Sequence, residues 1–348
     1  MNIKLIARRS KKEKIMSSKI TSGGTPIQKS LWEYFDKPRI IKPLPSPGQL
    51  GLQEYTKRFR VMPISKLKRH IQRDTEVRNL KKITKRGING DSWQAPRVVY
   101  VRSTKQFLVY DGDHSLHLWL QMYPNATDIV VDYREVDTLE EYHQLFVDFN
   151  LEGRTGISAE VAYVHRYYAK YPEQVDLAAC MRAAGVYVYG SGESGGRVGD
   201  PQGCKIKVNA AKKCALYASG KKSGEPKSAD VPNSSMFFKP AVDVYRSLPS
   251  FKQTKDQLKS ELVGGLTQLM RAYPSILSTA GPQGDFRLWF HSKFVHSEVN
   301  HEVSKWKTSG GSVHNKSEYS IAKGIVLDLH GNPKFNSITT GKLDKLFA

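Results

Sequence analysis

A chain of 348 residues, 39% hydrophobic and 10% aromatic, is long enough to bury two domains, or one domain with a helical extension, without staples. Its 54 Lys and Arg against 33 Asp and Glu leave a net charge of +21, which favours a polyanionic partner and speaks against a small-molecule enzyme with no nucleic-acid role. No run approaches the roughly 20 apolar residues of a membrane helix, and three cysteines without a CxxC pair fit a reduced, cytoplasmic compartment better than a zinc site.

Residues 1–59 read as a basic flexible arm, with a net charge of +10 over residues 1–60. No apolar stretch of a secretory leader follows its first residues. One apolar island interrupts it. Gln28, Leu31, Tyr34 and Phe35 follow the spacing Gln-x-x-aliphatic-x-x-aromatic-aromatic, which resembles the PCNA-interacting peptide that docks on sliding clamps. On one helical turn the three apolar side chains would form a plug, and Gln28 would anchor its entrance.

Residues 60–150 predict a compact α/β unit. Val61–Ile64 has the makings of a short strand, and Ser65 opens a helix or turn. Lys66, Lys68, Arg69, Lys81, Lys82, Lys85 and Arg86 crowd this stretch and are expected to meet a phosphate backbone. Arg97–Val101 and Phe107–Tyr110 are short apolar runs, and a helix begins just after Gly112. Ile129–Tyr133 predicts a third strand. Leu139–Phe149 predicts a helix with Tyr142, Leu145, Phe146 and Phe149 on one face.

The chemistry concentrates where the second run ends, at Asp111-Gly112-Asp113-His114-Ser115. Glycine permits a tight turn, and the helix that follows offers unpaired N–H groups to a phosphate. Asp113 would cap that helix, Asp111 would serve as a base or metal ligand, and His114 would contact phosphate or shuttle a proton.

This segment resembles the ParB/sulfiredoxin-like superfamily, most closely the branch with the DGxHR signature. The early Gln-Arg pair stands at Gln72-Arg73, the strands are RVVYVRS and QFLVY, and the later Phe-x-x-x-Asn segment is Phe146–Asn150. The resemblance implies a nucleoside triphosphate bound at the turn. Gly112, Asp113, His114 and Ser115 would surround a phosphate, and Gln72, Arg73 and Asp74 would line the opposite wall. Asp111 and His114 would be the catalytic pair, with Mg2+ or Mn2+ as the accompanying metal. Ser115 stands where the signature has arginine, and a hydroxyl does not replace a bidentate guanidinium, which weakens the case for catalysis.

Residues 151–335 are expected to be mainly helical, with a helix over 158–189 stopped near Gly185 and a glycine-rich loop after it that lacks the ending of a P-loop. In the tail, 336–348, Leu343, Leu346 and Phe347 are similar to the short Leu-x-x-Leu-Phe peptides that enter clamp pockets. The leading expectation is a cytoplasmic, nucleotide-dependent DNA-acting protein, a nuclease, NTPase or phosphotransferase, tethered to a sliding clamp. Its combination of motifs suggests a phage, other virus or mobile element, and hence a host cytoplasm. The alternative is a non-enzymatic DNA-binding adaptor or regulator of replication or transcription.

Overall fold

The computed structural model describes residues 25–26, 40–43, 59–70, 88–89, 93–151, 158–190, 196–221, 230–248, 250–251, 257–280, 284–295, 297–311, 317–330 and 332–347. The chain is mixed α/β and divides into two compact units, residues 1–169 with 190–196, and residues 170–189 with 197–348. The first boundary thus falls after residue 169, about one helix later than the expected 150. Among the described residues no helix is long and apolar enough to cross a membrane.

The first unit is built on a six-stranded sheet. Its strands are β1 (Thr25–Pro26), β3 (Phe59–Pro63), β4 (Leu67–Arg69), β6 (Arg97–Val101), β7 (Gln106–Asp111) and β8 (Asp128–Val136), in the order β1-β4-β7-β6-β8-β3. A separate parallel pair joins β2 (Ile40–Lys42) to β5 (Ile88–Asn89). β6 and β7 form an antiparallel hairpin, and β8 returns parallel to β6. Helix α1 (Asp113–Met122) covers one face, burying Leu116, Trp119 and Leu120 against Val98, Val109 and Val131. On the other face α2 (Leu139–Leu151) and α3 (Ala159–Tyr168) bring Tyr142, Phe146 and Val161 onto Val99, Val101, Leu108 and Tyr110. Neighbouring valines in β6 therefore serve opposite layers, as the period of two requires.

Of the helix or turn expected from Ser65, the structure has the turn, and Leu67–Arg69 is a strand. Only Ile64–Lys66 forms a 3-10 turn, and the chain then pairs parallel with β7. Between α2 and α3 lies a histidine cluster. His143 Nδ1 is 2.9 Å from His165 Nδ1, and the His165 ring stacks on Phe146 with centroids 3.5 Å apart. His143 packs on Tyr168 and near His70, and Tyr142 Oη donates to His70 O. Burial, with the neighbouring His165 and His70, pushes the His143 pKa down, and burial takes His70 to about 4.

In the second unit α4 (Pro172–Ala183) leads into a three-stranded sheet of order β10-β9-β11, with β9 at Val186–Tyr189, β10 at Arg197–Gly199 and β11 at Cys204–Lys205. The helix expected over 158–189 is two helices followed by a strand, and the stop expected at Gly185 falls just past the end of the second helix, with φ +68°. A helical array follows: α5 (Val208–Ala218), α6 (Lys239–Arg246), α7 (Ser260–Ala272), α8 (Ser275–Thr279), α9 (Asp285–Ser292), α10 (Val299–Ser309), α11 (Ser317–Leu329) and α12 (Thr340–Phe347). Helices α10 and α11 touch closely, because a Cβ on Gly324 would sit 2.1 Å from Trp306 O. Cys180, Cys204 and Cys214 are free and buried, and burial pushes the thiols of the last two up.

The expected clamp peptide at the C-terminus is corrected here. Leu343 and Phe347 are 0% and 4% exposed, Phe347 edge-on to Tyr217, so their apolar surface completes this unit's own core. Leu346 is half-buried on the same helix. A plug already spent on its own core is not available to a clamp.

Candidate functional site

Strand register creates the site. Arg97 pairs with Asp111 on one side and Asp132 on the other, and Asp132 pairs with Phe59. One row across β7, β6, β8 and β3 therefore reads Asp111, Arg97, Asp132, Phe59. All four line a cleft of about 530 Å3, together with Gln94, Ala95 and the turn residues Gly112, His114 and Ser115.

Arg97 organises this row. Its Nη1 donates to Asp111 Oδ2 at 2.9 Å, its Nε lies 3.6 Å from Asp132 Oδ2, and its guanidinium covers the Phe149 ring at 4.4 Å. Its Nη2 makes no hydrogen bond among the described residues. A guanidinium held at Nη1 and Nε keeps the N–H groups of Nη2 to offer to the oxygens of an anion.

The turn fits closely against this floor. Gly112 has φ +88°, and a Cβ there would lie 2.8 Å from Pro96 Cα, so glycine is required twice over. Pro96 in turn accepts from Asp132 N at 2.9 Å. Leu116 N bonds to Gly112 O, closing the first turn of α1, and the amides of 113–115 precede the first intrahelical bond. Trp93 Nε1 donates to Ser115 O at 3.0 Å, with its ring tilted on Trp119. Asn150 Nδ2 donates to Tyr110 O at 3.2 Å, so the Phe-x-x-x-Asn segment holds the end of β7.

The expected residues divide four ways. Asp111, Gly112, His114 and Ser115 converge on the cleft. Asp113 does not send its side chain there. Gly112 holds the N-cap position, no side chain accepts from the first amides as a cap, and the Asp113 carboxylate pairs with Arg69 Nη2 at 2.5 Å and lies 3.7 Å from His117 Nε2. That corrects its role as helix cap. The same pair corrects Arg69 as a DNA contact, since its side chain is only 14% exposed and also meets His117. Lys66 is exposed and Lys68 half-buried. Gln72, Arg73, Asp74, Lys81, Lys82, Lys85, Arg86 and the peptide Gln28, Leu31, Tyr34 and Phe35 lie outside the described residues.

Arg97, Asp132 and His117 escaped the sequence reading. His117 is fully buried, and its pKa falls to about 4 because burial opposes the charge, Asp113 raising it only in part. Asp132 left one signal, a lone carboxylate inside the apolar run IVVDY.

The residues do not fit a resident metal. Among the described residues no group of three His, Cys, Asp or Glu converges, and the place between Asp111 and Asp132 is taken by Arg97. Compared with known proteins, the chain matches no family model, no curated protein and no solved structure.

Proposed function

We propose that the first unit is a ParB/sulfiredoxin-like nucleotide-binding domain, that its cleft takes the phosphates of a nucleoside triphosphate, and that the protein acts on DNA. The observation that carries this reading is Arg97 on the cleft floor. The signature's arginine is missing at Ser115, and Arg97 brings a guanidinium to the same turn from the neighbouring strand. The order of strand, Asp-Gly turn, helix, strand and Asn-ended helix supports the resemblance. The net charge of +21 supports DNA as the partner.

In this reading Arg97 and the amides of 113–115 hold the terminal phosphates. Asp111 and Asp132 aim the guanidinium, so Asp111 is a positioning residue. His114 borders the same cleft and is the proton acceptor available for any attacking water. A divalent ion enters with the nucleotide as part of the substrate. Clamp tethering rests on Gln28, Leu31, Tyr34 and Phe35 alone, and mixing the chain with a clamp by size exclusion tests it.

The test of the main reading titrates each fluorescent nucleoside triphosphate, with Mg2+ or Mn2+, into wild type, Arg97→Ala and Asp111→Ala/His114→Ala. Binding by wild type that is lost with Arg97 is the expected result. Hydrolysis or DNA cleavage lost in the double variant would add catalysis. A wild type that binds no triphosphate overturns the reading and favours the DNA-binding adaptor.

A further inference from the structure

We infer that the second unit presents a platform for single-stranded DNA on the tyrosine-bearing face of its small sheet. β9 alternates buried Val186 and Val188 with half-buried Tyr187 and Tyr189. The register sets Arg197 opposite Tyr189, Gly199 opposite Tyr187, and Lys205 beside Tyr187. Paired residues share a face, so the two tyrosines, Arg197 and Lys205 stand on one side, and Val198 and Cys204 join the buried side. Each ring carries a cation. The Arg197 guanidinium lies 4.9 Å from the Tyr187 centroid, and Lys205 Nζ lies 5.4 Å from that of Tyr189.

The alternation continues beyond β11. Ile206 and Val208 are buried, and Lys207 is exposed on the side of Lys205. Lys207 also lines a cleft of about 620 Å3, with Gln257 and Lys259. Gln257 bridges to Lys205, so the platform and the cleft are continuous through one basic edge. Glu261 in the lining is neutralised by Lys307 at 2.6 Å, and Glu298 is the other acid there.

This pairing of chemistries selects its ligand. Rings at alternate positions of a strand stand about 7 Å apart, side by side, as successive bases of an extended strand require. Aromatic faces stack on bases, and Arg and Lys beside them meet phosphates. A duplex hides its base faces, which excludes it from the rings. The polyanion proposed above is DNA, and the platform rests on that reading only for the choice of sugar.

The experiment is fluorescence anisotropy of a labelled oligothymidylate with the full chain. Tyr187→Ala and Tyr189→Ala are each expected to weaken binding about tenfold, and Tyr→Phe at either position to retain it. Lys205→Gln and Lys207→Gln should each lower the salt slope by roughly 0.7. A duplex of equal length should respond to the lysines and not to the tyrosines. A wild type that binds oligothymidylate through these tyrosines and lysines but binds no nucleoside triphosphate would sink the nucleotide reading alone, which separates the two tests. The inference is overturned if a Tyr187→Ala/Tyr189→Ala variant with an unchanged melting temperature binds like wild type, or if both lysine variants keep the wild-type salt slope. Tighter binding of oligouridylate than of oligothymidylate also overturns it.

Discussion

Arg97 donates from Nη1 to Asp111 Oδ2 across 2.9 Å, while Asp132 faces its Nε from the opposite neighbouring strand. One guanidinium thus stands between two carboxylates. Replacing it by alanine leaves those carboxylates facing each other, 21% and 6% exposed, at a cost of about 3 kcal/mol in stability. Arg97→Lys keeps the charge and loses the fork, so triphosphate affinity should fall at least tenfold with a smaller stability loss. Urea unfolding and nucleotide titration of the two variants measure each effect.

Gly112→Ala should destabilise the first unit by about 2 kcal/mol, because alanine is strained at φ +88° and its methyl would press on Pro96. Thermal unfolding of the variant checks this. Nucleotide affinity should fall with it, since the turn must shift away from the strand that carries Arg97.

Acid should unfold the first unit from its histidines. His117 and His70 have folded pKa values of about 4 against an ordinary 6.5, and His143 is lowered by the same burial. The unfolded chain therefore takes up protons that the folded chain refuses. Their stabilisation is complete above pH 6.5 and is lost as pH falls towards 4, with His117 alone worth about 3 kcal/mol of that loss. Melting temperatures measured from pH 7.5 to 4 should drop across this window, and His117→Gln should flatten the drop.

Leu343→Ala should cost about 3 kcal/mol, because its side chain is fully buried in the second unit. Chemical denaturation reads this directly. A C-terminal helix kept free for a clamp would instead tolerate the change.

Much of the first unit was legible in its residues. The β-branched run at 97–101, the Asp-Gly turn and the apolar stripe of Tyr142, Leu145, Phe146 and Phe149 each signal locally, and the structure has a strand, a turn and a helix there. β4 was not legible, since three residues in a lysine-rich stretch carry no alternation and become a strand only by pairing with β7. Arg97 read as the first residue of a strand for the same reason: register across a sheet is a tertiary property. The stop near Gly185 is legible, but the strand beyond it at Val186–Tyr189 is not, because its period of two spans only four residues.

Every lining residue of the first cleft except Phe59 comes from the stretch between residues 94 and 132. Chain segments so near in sequence close small loops, which costs little entropy and favours early assembly. All of these residues also leave the ribosome before most of the second unit is made. A nascent chain would thus hold a finished cleft while its remaining helices are still being synthesised, and the nucleotide proposed to bind there would then act as a folding ligand, stabilising the first unit by mass action during translation.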